Sequence, residues 1–170
     1  MPRNPILFSE TQALRNWHAR ILLAFPPAAV IFIALRQMVW HKPWGNPPMS
    51  NGGVVFLAVL LTAVYFRLTT VKLVTVLRQS EIEVGLRGLW KRRRIPLEQV
   101  RSADPVTYDA AQDFGGYGIR TGRRGAAYIA RGNRAVELTT TANRKIFIGT
   151  PDPENLARKI REARRQLPAA

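Results

Sequence analysis

Two apolar runs joined by a proline-rich segment constrain the fold of this chain more than any other feature. Residues 21–35 contain no charged or hydrogen-bonding side chain, and residues 52–66 form a second apolar run of the same length. The sequence "HKPWGNPPMSN" at residues 41–51 separates them, and its Pro, Gly and Asn residues are typical of a turn. The two runs are therefore predicted to form a helical hairpin.

With its flanking residues, each run is long enough to cross a membrane, which takes about 20 helical residues. The predicted spans are about 19–40 and 50–68. Arg20 and Arg36 can direct their charged ends toward the headgroups while their aliphatic stems stay in the apolar layer. Tryptophans flank the first run, as interfacial aromatic residues do: Trp17, Trp40 and Trp44. The pattern favours a transmembrane hairpin over the alternative of two core helices in a soluble protein.

A cleaved signal peptide is the other interpretation of the first run. The run lacks a small-x-small cleavage pattern, its leading segment is long, and a second apolar run follows it. An uncleaved anchor is therefore favoured.

The distribution of basic residues predicts which side of the membrane each part occupies. Residues 67–170 carry 21 Lys and Arg against 10 Asp and Glu, a local balance of +11 within a total of +15. The connecting loop offers mainly Arg36 and Lys42. Because cytoplasmic segments are enriched in Lys and Arg, both termini are predicted to be cytoplasmic. Residues 1–18 then form an N-terminal cytoplasmic segment.

After the second apolar run, the pattern changes to the alternation of apolar and polar residues that is typical of strands. In "EIEVGL", Ile82, Val84 and Leu86 share one face, and Glu81 and Glu83 share the other. About seven short strands at regular spacing predict a small antiparallel barrel or sandwich.

The chain ends in a predicted amphipathic helix at residues 153–167. Asp152 is a typical N-cap, and Pro153 suits the first helical position. Apolar side chains repeat along one face of this helix: Leu156, Ile160, Ala163 and Leu167. Arginines occupy the opposite face: Arg158, Arg161 and Arg165. Packing of the apolar stripe against the sheet is favoured, and a helix lying on lipid is the alternative.

Strands closed by one C-terminal helix follow the plan of a pleckstrin-homology-like (PH-like) domain, predicted here for residues 69–168. The segments "FSETQ", "WGNPPMSN", "TYDAAQDFGGYGIR", "GAAYIARGNRAVEL" and "IFIGTPDPENLA" resemble an uncharacterised family of bacterial two-helix membrane proteins with a PH-like domain. The resemblance covers nearly the whole chain and implies a bacterial plasma (inner) membrane location, without implying an activity. The predicted fold is an α+β membrane protein, with a transmembrane hairpin followed by a PH-like β-barrel or sandwich and a C-terminal helix.

The stretch "FGGYGIRTGRRGAAYIARGN", residues 114–133, combines glycines and arginines as a phosphate-binding loop would. It lacks the Walker A spacing, and Thr121 stands where the third glycine of a dinucleotide-binding loop belongs. Its glycines are instead predicted to serve turns and bulges: Gly115, Gly116 and Gly118.

Two groups of arginines form the candidate surface for binding anionic lipid headgroups. The candidate residues are Arg92, Arg93, Arg94, Arg120, Arg123 and Arg124. Near an anionic leaflet, each basic residue contributes about 1 kcal/mol, although any single one of them can equally be a solvated surface residue. A phosphoinositide-binding pattern is absent from the first hairpin, where Arg78 is followed by Gln79, Ser80 and Glu81. The predicted partner is therefore an anionic bilayer without inositol specificity.

Residues suited to catalysis or metal binding are sparse. The chain has no Cys and only two His, each beside an apolar run, so thiolate chemistry is excluded and a His-based site is disfavoured. Asp104, Asp109 and Asp113 lie in one stretch, where they are expected to bind turn amides or pair with arginines. No catalytic residue, metal ligand or cofactor is predicted.

The favoured function is therefore a non-catalytic, membrane-anchored binding or scaffold protein. An accessory or assembly subunit of a larger membrane complex is the alternative, and a homo-oligomer fits either. A tethered nucleic-acid binder is less favoured, because Tyr108, Tyr117 and Tyr128 are isolated and predict no stacking platform. An enzyme is the least favoured class.

Overall fold

The computed structural model describes residues 5–13, 17–88, 92–122 and 124–167. The protein has an α+β fold and divides into two compact units. Asn16–Thr70 forms one of them, the helical unit, while Met1–Arg15 and Val71–Ala170 together form the other, the sheet unit.

The helical unit is a pair of helices, α1 (Trp17–Val39) and α2 (Asn51–Thr69). The hydroxyl oxygen of Ser50 caps α2 by accepting a hydrogen bond from Gly53 N at 3.2 Å, which satisfies one of the free amides of the first turn. Gln37 ties α1 to the connection, because its Nε2 donates to Met49 O and to Asn51 Oδ1, both at 2.7 Å.

Both helices have an apolar surface that the described protein leaves open. Arg20–Val39 and Asn51–Thr69 are each long and apolar enough to cross a membrane. Leu22 is 75% exposed and Phe56 is 68% exposed, whereas the core helix of a soluble protein buries such residues.

Four antiparallel strands form the first sheet, in the order β1-β2-β3-β4. The strands are β1 (Ile6–Ala13), β2 (Lys72–Arg78), β3 (Glu81–Arg87) and β4 (Arg93–Pro96). The register pairs Leu77 with Ile82 and Ile82 with Ile95, so the apolar face predicted from the alternation in β3 is continuous across the sheet.

Residues 1–18 are predicted above to lie outside the domain, but β1 belongs to its first sheet. Ile6–Ala13 pairs with β2 in antiparallel fashion, and Ala13 lies opposite Lys72. The sequence "ILFSETQA" has no clean alternation, and its partner strand follows the helical hairpin. Local periodicity therefore cannot reveal this pairing.

Five strands form the second sheet, in the order β5-β8-β9-β7-β6. They are β5 (Val100–Thr107), β6 (Gly118–Gly122), β7 (Gly125–Ile129), β8 (Arg134–Thr140) and β9 (Lys145–Gly149). A short helix, α3 (Ala110–Phe114), leads from β5 into the β6–β7 hairpin. This hairpin lies at the far edge of the sheet, so β7 runs parallel to β9, with Tyr128 opposite Ile148.

Of the two predicted arrangements, a barrel or a sandwich, the closed barrel is not formed within the ranges that the structure describes, because the two sheets remain separate. β4 ends at Pro96, which has no backbone N–H to donate to a ladder. A 3-10 turn at Leu97–Gln99 then carries the chain into the other sheet.

The main core lies between the two sheets and α4 (Pro153–Arg165). Asp152 caps α4 as predicted, because its Oδ1 accepts a hydrogen bond from Asn155 N at 3.2 Å. The apolar stripe of α4 is buried: Leu156, Ala157, Ile160 and Ala163. Core packing, and not contact with lipid, therefore accounts for this stripe.

A second apolar cluster covers the outer face of the five-stranded sheet. Phe147 of β9 is fully buried there, and the ring of Phe114, from α3, lies 5.1 Å from it, centroid to centroid. Tyr108 packs edge-on against Phe114 at 6.0 Å. The glycine-rich stretch thus begins in a helix that seals the sheet.

Candidate functional site

The first arginine group surrounds one carboxylate. Glu83 lies directly opposite Arg94 in the β3–β4 ladder, and its side chain is only 9% exposed. Its carboxylate oxygens lie 3.2 Å from Arg92 Nη1, 3.4 Å from Arg78 Nε and 3.7 Å from Arg94 Nε. Strand alternation places Arg92, Arg94 and Glu83 on the face turned away from the main core. The cluster of three arginines and one glutamate has a surplus of positive charge, and the contacts with Glu83 orient the guanidinium groups.

Arg93 has a different environment from its two neighbours. It pairs with Val84, whose side chain belongs to the main core, so Arg93 points toward the opposite sheet. Its Nη1 donates to the Tyr128 hydroxyl at 3.4 Å. Arg93 therefore links β4, at the edge of the first sheet, to β7 of the second sheet.

In the second group, Arg124 is engaged by internal partners. Its Nη1 donates to Asp113 Oδ2 at 2.7 Å, and its Nη2 lies 3.8 Å from Glu137 Oε2. The guanidinium also lies 4.9 Å above the Phe147 ring, a distance at which a cation is attracted to the face of the ring. Lys145 Nζ contacts Glu137 at 2.8 Å. Arg124 thus covers the outer aromatic cluster.

The glycines predicted to form turns lie beside the second arginine group, whose other members are Arg120 and Arg123. Gly115 ends α3 with a φ of 71°, and Gly116 and Gly118 have φ values of 119° and 118°. These positive values require glycine at all three predicted turn positions. Arg120 is exposed, and its Nε donates to Tyr117 O at 3.2 Å. Arg123 lies outside the described residues.

Of the three aspartates predicted to bind turn amides or pair with arginines, Asp109 and Asp113 do so in the structure. Asp109 caps α3, with Oδ1 accepting from Ala111 N at 2.8 Å and from Gln112 N at 2.9 Å. Asp113 accepts from Asp109 N at 3.0 Å as well as from Arg124. The Asp109 amide and then Arg124 hold the pKa of Asp113 below its ordinary value. Asp104 lies apart from these contacts and lines a groove beside α4.

The structure does not bring the two arginine groups together. Arg92 and Arg94 point to the outer face of the four-stranded sheet, whereas Arg124 lies on the outer face of the other sheet over Phe147. The outer faces of two packed sheets point away from each other. A flat anionic surface therefore cannot meet Arg92 and Arg94 together with Arg124.

Grooves of the sheet unit offer two further positions for a ligand. A groove of about 510 Å³ runs beside β5 and the start of α4, and it is crossed by an ion pair between Arg134 and Glu154. A smaller groove of about 210 Å³ lies between β5 and the last turns of α4, and four arginines line it: Arg101, Arg161, Arg164 and Arg165. The helical spacing of its α4 arginines was visible in the sequence, but the approach of Arg101 was not.

No three His, Asp or Glu side chains among the residues described cluster closely enough to hold a metal ion. Comparison with protein-family models and with curated proteins gives no match. The proposals below therefore rest on the geometry of this chain.

Proposed function

We propose that the protein is a non-catalytic scaffold, anchored in a bacterial plasma membrane by its helical hairpin. Its PH-like domain binds an anionic ligand or a membrane-protein partner on the cytoplasmic face. The observation that supports the membrane anchor in this proposal is the pairing of β1 with β2, because the whole hairpin is inserted between these two neighbouring strands.

This insertion limits how the hairpin can cross a bilayer. The chain leaves the first sheet at Ala13 and re-enters it at Lys72, and the two residues are paired. Both ends of the hairpin must therefore lie on the same side of the membrane as the sheet. Two crossings meet that requirement, and the exposed apolar surfaces of α1 and α2 suit the hydrocarbon layer.

The cytoplasmic side follows from charge. Lys and Arg near the ends of membrane spans favour the cytoplasmic side. Four basic residues flank the hairpin ends that join the sheet unit, whereas the connection offers Arg36 and Lys42: Arg15, Arg20, Arg67 and Lys72. This distribution supports a cytoplasmic location for the sheet unit and both termini.

The strand order supports the PH-like assignment. The β6–β7 hairpin and α3 occupy the far side of the second sheet and can be treated as an insertion. What remains is a four-stranded sheet, a three-stranded β5-β8-β9 meander and a C-terminal helix that packs between them. These seven strands are compatible with a PH-like plan, but they differ from the strands predicted from the sequence, which included β6 and β7 and did not include β1.

Thiol labelling in intact cells tests the topology, since the chain has no native Cys. Met49 lies in the connection between the helices and Thr141 lies in the β8–β9 turn, and both are exposed. A membrane-impermeant reagent should label Met49→Cys and leave Thr141→Cys unlabelled until the cells are opened. Labelling of Thr141→Cys alone would reverse the orientation, and equal labelling of both would contradict insertion.

A further inference from the structure

The groove between β5 and α4 brings arginines of two elements together without an ion pair to any carboxylate of the described residues. Arg101, Arg161 and Arg165 make no ion pair within the part of the chain that is described, whereas Arg92, Arg94 and Arg124 each contact a carboxylate. One carboxylate, Asp104, lines the groove beside the four arginines. The lining therefore carries a surplus of three positive charges in a volume of about 210 Å³.

Repulsion between the positive charges of these arginines destabilises the protein when no ligand is bound. Arg161 and Arg165 are four residues apart on α4, a spacing at which like charges destabilise a helix. The partial negative charge at the end of a helix favours Arg164 and Arg165 in the last turn. That effect does not extend to Arg101, which a different element brings to the same groove.

Arg164 fixes one wall of the groove. Its Nη1 donates to Val100 O at 3.0 Å and also to Arg101 O. These carbonyls belong to β5, an edge strand whose free polar groups need partners. The contact holds the end of α4 against β5 and leaves the Nε and Nη2 donors of Arg164 for another acceptor.

We propose that this groove binds a phosphate group carrying two negative charges, supplied by a phosphomonoester lipid headgroup or by a soluble phosphate compound. Guanidinium groups match the oxygens of a phosphate with paired hydrogen bonds. A dianion offsets more of the surplus charge than a single carboxylate, and it separates Arg161 from Arg165. The proposal depends on the sheet unit alone and stands whether or not the hairpin is inserted as described above.

Titration of the full-length protein in phosphatidylcholine nanodiscs with inorganic pyrophosphate tests the site by calorimetry. Arg161→Gln/Arg165→Gln should weaken binding about tenfold or more, since each arginine would give a hydrogen bond between charged groups that Gln cannot replace. Arg87→Gln/Arg144→Gln is the matched control, because these exposed arginines also lack ionic partners among the described residues and lie outside the groove. Equal losses in the two double variants, or no binding by the unaltered protein, would overturn the proposal.

A substitution at Asp104 provides a second test, in which the affinity for pyrophosphate should rise and not fall. Asp104→Asn removes a like charge beside the phosphate and should strengthen pyrophosphate binding severalfold. Glu98→Gln makes the same change of charge at an exposed position outside the groove and should leave the affinity unchanged. An equal gain in both variants would indicate general attraction to a basic protein and would contradict a local site.

Changing the lipid of the nanodisc distinguishes a lipid headgroup from a soluble phosphate compound as the ligand. In nanodiscs containing phosphatidic acid, a headgroup that occupies the groove should compete and lower the apparent affinity for pyrophosphate. Nanodiscs with the same charge from phosphatidylglycerol, a phosphodiester, control for repulsion by the bilayer. A reduction specific to phosphatidic acid and absent from Arg161→Gln/Arg165→Gln supports the lipid source, and equal affinities in the two anionic nanodiscs support a soluble one.

Discussion

The partly buried position of Glu10 in the sheet unit disfavours its charged form. Its Oε2 accepts a hydrogen bond from Thr150 Oγ1 at 2.7 Å, while its Oε1 is buried without a hydrogen-bond partner in the described structure. Burial raises the pKa of the Glu10 carboxyl above its ordinary value of 4.5, because the charged form loses hydration. The side chains of Thr150 and Gln12 and the charge of Arg131 lower the pKa and offset only part of this effect.

The variant Glu10→Gln should therefore stabilise the protein near neutral pH. A raised folded-state pKa means that this carboxyl favours folding below the unfolded value of 4.5 and loses that contribution as the pH rises through the folded value. Gln remains neutral and keeps an oxygen that can accept from Thr150. Thermal unfolding of the detergent-solubilised chain should show a higher midpoint for Glu10→Gln at neutral pH, and a smaller difference in acid.

Exposed Glu98→Gln serves as the control for that comparison and should show no such pH dependence. A lower midpoint for Glu10→Gln at neutral pH would mean that attraction to Arg131 outweighs burial. No effect at any pH would contradict the place of β1 in the sheet.

At the scale of elements, the parallel contact between β7 and β9 depends on Gly125. Its φ is 132°, and an added Cβ would lie 2.3 Å from the backbone oxygen of Lys145 at the start of β9. Gly125→Ala should cost about 3 kcal/mol or more, because backbone strain alone reaches that range and β9 must also move. Gly132→Ala, with a φ of 75° and no described atom within 4 Å of the added Cβ, should cost about 1 kcal/mol.

The unfolding midpoints of the two glycine variants check this difference. Equal losses would mean that β7 does not approach β9 as closely as the geometry requires. A large loss of stability in Gly132→Ala, with little loss in Gly125→Ala, would mean that close approach of β9 does not determine the cost of substituting Gly125.

Local patterns predicted most elements but few of their partners. Alternation in "EIEVGL" predicted β3, and Asp152 followed by Pro153 predicted the start of α4, because both signals lie within a few residues. α3 was missed, since a helix of five residues is too short for a periodic signal and depends on its Asp109 cap and the packing of Phe114. The parallel position of β7 was missed because it depends on where the hairpin docks.

Sequence patterns also predicted basic residues without predicting which of them are paired. Glu83 gathers arginines from two neighbouring strands, and Arg124 meets Asp113 and Glu137 from separate elements. These contacts depend on strand register, which a run such as "KRRR" does not contain. The groove beside β5 was missed for the same reason, because Arg101 is far from α4 in sequence.

At the scale of the whole molecule, the sheet unit is discontinuous in sequence. β1 precedes the helical hairpin and every other strand follows it. Gln12 of β1 donates from Nε2 to Gly149 O in β9 at 2.7 Å, and Lys159 of α4 donates to Leu7 O at 3.1 Å. The first strand is thus bonded to both the second sheet and the C-terminal helix. A fragment that begins at β2 lacks these contacts and exposes the edge of β2.

Replacing the hairpin by a short turn should therefore give a soluble, folded domain. Ala13 and Lys72 are paired, and Val71 belongs to the main core, so a Gly-Asn-Gly linker between Ala13 and Val71 leaves a four-residue connection suited to a β-hairpin. The protein without the hairpin should be monomeric and rich in strand by circular dichroism.

A matched fragment of residues 71–167 should be less stable or aggregate, because an uncovered edge strand can pair with other chains. Equal stability of the two would show that β1 is dispensable. If the protein without the hairpin is insoluble while fragment 71–167 is soluble, α1 and α2 are needed for the domain to fold and do not serve only as an anchor.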